Sequence, residues 1–240
     1  MTRLLIVLGS GPGIGVGVAS HFASSTFTHI ALVARTASRL STDVSSVQAA
    51  AEHAGKQVTV KAYPADLADT ASLTTALESI KNDFGAPEVV IYNAARTGKS
   101  GLFEVDEERV LSDYKVTTLG LYTAAKILAP QLASLAKEEG RSPALIVTSG
   151  GLYKTPYHPF FSLAQSKASQ HNLTMSLAQK LAPEGIHVCA IIVHGLVKPE
   201  SEIFSPANIA KTYWKVYEEG VKGEREVWIT DGKGWTPTNL

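Results

Sequence analysis

The sequence predicts an α/β protein, a doubly wound parallel sheet with helices on both of its faces, from three observations. Short β-branched runs alternate with longer helical patterns along the chain. The strand candidates are apolar on both faces, as strands covered by helices above and below must be, whereas a half-exposed strand would alternate polar and apolar residues. A glycine cluster stands where the first strand hands over to the first helix.

The strands are expected at 4–8 (Leu-Leu-Ile-Val-Leu), 30–33 (Ile-Ala-Leu-Val), 58–60 (Val-Thr-Val), 89–92 (Val-Val-Ile-Tyr), 145–148 (Leu-Ile-Val-Thr), 188–193 (Val-Cys-Ala-Ile-Ile-Val) and, more weakly patterned, 227–229 (Val-Trp-Ile). Between them, helical periodicity predicts helices at about 14–24, 38–54, 70–83, 106–137, 160–181 and 206–219. With 240 residues, 45% of them apolar, the chain can bury one large core. No repeat, low-complexity tract or long linker divides it, so residues 1–240 are expected to form a single domain. Ligands in such sheets bind beyond the carboxyl ends of the strands, which directs attention to the loops there.

Composition narrows the function classes. Twenty-two basic residues balance 22 acidic ones, leaving no positive field to recruit nucleic acid or an anionic membrane, and the expected partner is a small-molecule substrate. Cys189, the one cysteine, lies in an apolar run and cannot form an internal disulfide, which fits a reducing compartment. Residues 1–9 hold only a short apolar stretch with one Arg, too brief for a signal peptide or a membrane span. A cytoplasmic location is expected. The seven histidines show no metal-binding spacing, so no metal site is expected. A hydrolase elbow around Ser149 would need glycine where Val147 stands.

The first strand runs directly into Gly9-Ser10-Gly11-Pro12-Gly13-Ile14-Gly15, with a helix to follow. Glycines there permit a tight turn and let backbone N–H groups and the helix N-terminus approach a pyrophosphate that a Cβ would block. The strand 30–33 leads through Ala34 to Arg35. Folds that select NAD place an acid at this point for the ribose hydroxyls; here a guanidinium stands instead, able to grip a 2′-phosphate bidentately. Arg39, on the helix that follows, is a second candidate for that phosphate, with surface charge the expected role.

The spacing Gly9-x-x-x-Gly13-x-Gly15 resembles that of the short-chain dehydrogenase/reductase family, a Rossmann-type fold. Further segments are similar to the family's: Ala65-Asp66-Leu67 to its adenine-contacting aspartate, Tyr92-Asn93-Ala94-Ala95 to its Asn-Asn-Ala-Gly element, Ser166-Lys167-Ala168 to the Ser-Lys pair of its active-site helix, and Val193-His194-Gly195-Leu196-Val197 to its Pro-Gly segment. The resemblance spans roughly residues 4 to 200. It implies a cofactor site made of Gly9, Ser10, Gly13, Ile14, Gly15, Arg35, Asp66, Leu67, Asn93, Ala94, Ala95, Lys167, Gly195 and Val197. With Arg35 in place of an acid, it implies NADP(H). It also implies that the helix 106–137 and the active-site helix form the contacts of a homodimer or homotetramer.

The catalytic pattern departs from the family. The family's tyrosine, four residues before the lysine, falls on Leu163, which has no exchangeable proton; its asparagine falls on Thr117, and its serine on Gly150 or Ser149. Lys167 remains, able to hold a ribose and lower the pKa of a neighbouring group. The proton donors that could replace the tyrosine are Tyr157 and His158, in the loop leading into the active-site helix, and His194, where the family has proline. The expected catalytic set is therefore Lys167, Ser149, Tyr157 and His194. Hydride transfer to an iminium needs no donor at all. The leading expectation is an NADPH-dependent reductase of a small apolar carbonyl or imine; the alternative is a redox-neutral catalyst or a sensing module that keeps its cofactor. Phe160, Phe161, Ile203, Phe204, Tyr213 and Trp214 suggest an apolar pocket or subunit contact, with core packing expected for most.

Overall fold

The computed structural model describes residues 2–232. Residue 1 and residues 233–240, which the expected single domain includes, lie outside the described residues. Seven strands, β1 (Leu4–Leu8), β2 (His29–Ala34), β3 (Thr59–Pro64), β4 (Val89–Tyr92), β5 (Ala144–Gly150), β6 (His187–Val193) and β7 (Glu226–Ile229), form one sheet in the order β3-β2-β1-β4-β5-β6-β7. Every pairing is parallel. The chain winds outward in one direction from β1 to β3 and in the other from β4 to β7, so β1 and β4 flank the switch point at which such sheets open a crevice.

Alternation along β1 divides the core. Leu5 and Val7 face the layer of α1 (Ile14–Ala23), α2 (Ala37–His53) and α7 (Pro206–Glu219); Leu4, Ile6 and Leu8 face α3 (Thr70–Phe84), α5 (Gly120–Leu135) and α6 (Phe161–Leu181). The first layer is closed by edge-to-face aromatic contacts of Phe22 with Phe27 at 5.0 Å and with Trp214 at 5.1 Å between ring centres. Tyr213 is fully buried here, and Phe204 and Trp214 pack on the same layer, so these aromatics are core rather than a free pocket wall. Cys189 is buried in that layer, and desolvation pushes its thiol up to about 12. Among the described residues no helix is long and apolar enough to cross a membrane.

Two elements differ from the sequence reading. The strand expected at 58–60 extends to Pro64, because β3 is an edge strand whose exposed Thr59 and Lys61 alternate with the buried Val60 and mask the pattern. The helix expected over 106–137 is broken into α4 (Glu107–Tyr114), a π-helical turn (Lys115–Leu119) and α5. Tertiary contacts account for the break. The Tyr92 hydroxyl donates to the Val116 carbonyl at 2.5 Å and the Gln170 amide nitrogen to the Thr117 carbonyl at 2.9 Å, so two successive carbonyls of the turn bond to side chains. Gly120 then passes so close to Tyr92 and Leu67 that a Cβ would lie 2.3 Å from the one's hydroxyl and 2.5 Å from the other's carbonyl. Such π-turns recur at functional sites.

At the amino ends of the strands, away from the crevice, Glu88 is fully buried. It accepts from Arg141 Nη1 at 2.8 Å and from the Tyr217 hydroxyl at 2.8 Å, and Arg3 lies 3.7 Å away, which ties β1, β4, β5 and α7 together. Glu88→Ala would remove the buried carboxylate from Arg141 and leave its guanidinium the Thr2 carbonyl and the more exposed Glu138, at a cost of about 3 kcal/mol. A thermal melt should show a loss on the order of 10 °C, with ligand affinity at the opposite end of the sheet unchanged. A shift below about 2 °C would show that the network is not what holds this end of the sheet.

Candidate functional site

The site begins where β1 ends. Gly9 has φ +96°, and a Cβ on it would lie 2.6 Å from the Ala94 nitrogen, so the position requires glycine both for its left-handed backbone and for the close approach of the loop after β4. Asn93 clamps the two loops by donating from Nδ2 to the Gly9 carbonyl at 2.9 Å. Ser10 is buried, its hydroxyl donating to the Asp43 carboxylate at 2.7 Å, so its side chain fixes the loop on α2. A Cβ on Gly13 would meet nothing within 4 Å. The loop therefore opens outward there, at the N-terminus of α1, which no side chain caps. Unmet N–H groups and the positive end of the helix dipole make such a terminus an anion site.

All the candidate cofactor and catalytic residues from the sequence, Gly9 through Val197, line a single cavity of about 920 Å³. Five cationic side chains, Arg35, Arg39, Arg96, Lys99 and Lys167, face it against one carboxylate, Asp66, an imbalance that suits a polyanionic ligand. Arg35 is exposed directly after β2, with no hydrogen bond or ion pair among the described residues. Arg39, read as surface charge in the sequence, also lines the cavity and reaches the Ser10 carbonyl at 3.4 Å. Asp66 uses Oδ1 to accept from the Ala68 amide at 2.9 Å. Among the described residues, no group of three or more His, Cys, Asp or Glu gathers as metal ligands would.

The opposite end of the cavity is built on β5, α6 and the loop after β6. Lys167 is buried, its ammonium donating to the Thr148 carbonyl at 2.8 Å and to Gln170 Oε1 at 2.9 Å. Burial with no carboxylate beside it lowers its pKa to about 7. Leu163, one helical turn earlier, presents an apolar wall to the cavity. Among the described residues Ser149 Oγ is buried without a hydrogen-bond partner, and so is Thr117 Oγ1 in the π-turn, although Thr117 itself does not line the cavity. Both oxygens are shielded from solvent, so the Ser149 hydroxyl would have to turn toward the cavity to meet a ligand.

Tyr157 lines the cavity half-buried, its ring near Phe160 at 6.1 Å and His158 at 5.6 Å between centres. His158 is exposed and does not line the cavity, which removes it from the proton-donor candidates. The His194 ring stands edge-on to Trp228 at 5.4 Å and directly over Gly151, where a Cβ would come within 2.5 Å of it. Glycine at 151 is thus the complement of histidine at 194. Sequence reasoning missed Gln170 and Gly151. The available signal for Gln170 was its place three residues after Lys167, on the same helix face.

A model of the family described as short chain dehydrogenase matches residues 3–206. The chain is 25% identical over 231 residues to the 2,3-dihydro-2,3-dihydroxybenzoate dehydrogenase of Bacillus subtilis, covering 95% of this chain and 80% of that protein. Its fold is similar to an alcohol dehydrogenase of the archaeon Thermococcus sibiricus solved with 5-hydroxy-NADP, with a TM-score of 0.83 at 16% identity, over 98% of this chain and 99% of that one. It is also similar to an NADH-dependent reductase solved with NAD, with a TM-score of 0.80 at 18% identity over 98% of both chains.

Proposed function

The chain belongs to the short-chain dehydrogenase family of oxidoreductases, and from that premise we propose that it is an NADPH-dependent reductase of a small apolar carbonyl or imine whose acid catalysis does not use a tyrosine in the active-site helix. The observation that carries this reading is the continuity of one cavity from the open glycine loop and the uncommitted Arg35 to Lys167. The N–H groups around residues 9–15 would take the pyrophosphate, Arg35 the 2′-phosphate, Asp66 the adenine end and Lys167 the ribose. Bound NADPH supplies the hydride. Ser149, whose buried and unpartnered hydroxyl would turn toward the cavity, orients the substrate oxygen, and Tyr157, with His194 as second donor, delivers the proton. The buried Cys189 thiol fits a reducing cytoplasmic setting.

A second reading, in which the cofactor is kept for a redox-neutral reaction or for sensing, is favoured by Leu163. An apolar side chain one turn before Lys167 has no proton to give, and a redox-neutral or sensing role asks none of it; within the reductase reading, hydride transfer to an iminium also needs no donor. Consumption of NADPH with a panel of ketones and imines supports the reductase; tight binding without turnover supports the second reading. We also propose a homodimer or homotetramer, supported by the exposed Leu111, Tyr114, Leu119 and Tyr122 along α4, the π-turn and α5.

Three measurements test these points. Arg35→Ala should weaken NADPH binding by roughly 10- to 100-fold in calorimetry and leave NADH affinity unchanged; equal affinities for the two cofactors in the unaltered protein reject the NADP preference. Tyr157→Phe should lower turnover by about 10²–10⁴-fold with cofactor affinity retained. If Tyr157→Phe and His194→Ala both keep full turnover while Lys167→Ala loses it, the proton-donor assignment fails and the iminium or redox-neutral account takes over. Light scattering should give at least a dimer mass, and a monomer at working concentration rejects the assembly.

A further inference from the structure

Lys167 is an amine enclosed by protein, and what surrounds it is almost entirely neutral. From β5 it meets the Thr148 carbonyl, and from its own helix the Gln170 carboxamide. Thr148 Oγ1 is bonded to the Tyr213 hydroxyl at 2.6 Å, and burial pushes that phenol's pKa up, so Tyr213 stays neutral near pH 7. Burial alone shifts the lysine; no carboxylate or second cation contributes from α6, α7, β5 or the π-turn. Two neutral acceptors therefore stand in for a counter-ion. An ammonium has three N–H groups, and these acceptors take two.

Gln170 is fully buried, and its orientation is dictated from both ends. Nε2 donates to the Thr117 carbonyl at 2.9 Å, while Oε1 accepts from Lys167 at 2.9 Å. Rotating the amide by a half-turn would set carbonyl against carbonyl and NH₂ against ammonium. Thr174 Oγ1 bonds to the Gln170 carbonyl and Thr118 Oγ1 to the Ser166 carbonyl, which joins α6 to itself and to the π-turn. We propose that Gln170 is a positioning residue for Lys167: its carboxamide, locked by the Thr117 carbonyl of the π-turn, offers the ammonium only an acceptor and leaves the third N–H of Lys167 to the ligand in the cavity. The ligand half of this statement rests on the cofactor reading above; the Gln170–Lys167 half does not.

The test compares Gln170→Met, which keeps the volume and removes the amide, with Gln170→Glu, which keeps an oxygen toward the lysine and adds charge. The 13Cε resonance of Lys167, assigned by its loss in Lys167→Met, is followed against pH in the cofactor-free protein. An acceptor stabilises the charged form, so its removal favours neutral lysine: Gln170→Met should lower the midpoint by about one pH unit and Gln170→Glu raise it by a similar amount. NADPH affinity should fall about tenfold in Gln170→Met at pH 8 and recover toward pH 6, where the lysine regains its proton. A merely structural role would lower the melting temperature and leave the midpoint in place. A folded Gln170→Met protein with an unchanged midpoint overturns the proposal; should that variant not fold, a Gln170→Glu midpoint that stays put or moves down does the same. If the unaltered protein binds no NADPH, the cofactor reading fails while the midpoint comparison still decides the role of Gln170.

Discussion

The backbone leaving β1 passes so near the backbone leaving β4 that a methyl group on Gly9 would lie 2.6 Å from the Ala94 nitrogen, and the Asn93 carboxamide closes the junction on the Gly9 carbonyl. That contact fixes the loops after β1 and β4 relative to each other. It sets the path of the glycine loop into α1, and Ser10, bonded to Asp43, carries it across to α2. The open side of the loop at Gly13 and the Arg35 side chain then face the same space. A helix N-terminus and a guanidinium are complementary to phosphate; the loop backbone is already held in place, whereas the exposed Arg35 side chain must be ordered on binding.

The other half of the cavity is organised by buried polar groups that must find partners. A lysine with no counter-ion, a glutamine with no solvent and a tyrosine at the end of β4 bond to carbonyls, and two of those carbonyls belong to the turn that breaks the long helix. The break is therefore a consequence of satisfying Tyr92 and Gln170, and it brings Thr117 and the active-site helix into register. Polar residues held this way are rigid, and each loss would leave a partner unmet in the interior.

The same reasoning bears on the histidine after β6. His194 occupies space that exists because residue 151 has no side chain, and Trp228 from the last strand holds the ring edge-on. Three segments far apart in the chain are needed to describe one side chain's position. Leu163 and Ser149 both line the cavity, and the Ser149 hydroxyl is buried with no partner among the described residues.

The fold class was legible in the sequence because it depends on local quantities: strands apolar on both faces can only lie under two helical layers, and a glycine cluster after the first of them can only be a tight strand-to-helix turn. The local reading pointed to the loops after parallel strands, to the glycine loop and to Arg35, and the family resemblance supplied Asp66, Asn93, Lys167 and Gly195, which line the same cavity. It did not extend to the π-turn, to the partners of Lys167 or to the pairing of Gly151 with His194. Nothing in the run 106–137 distinguishes a continuous helix from a broken one, for the cause lies in Tyr92 and Gln170, outside that run. A periodic pattern tells which face of a helix is buried; only the tertiary structure decides which buried donor meets which acceptor, because those pairs are set by packing between elements distant in sequence.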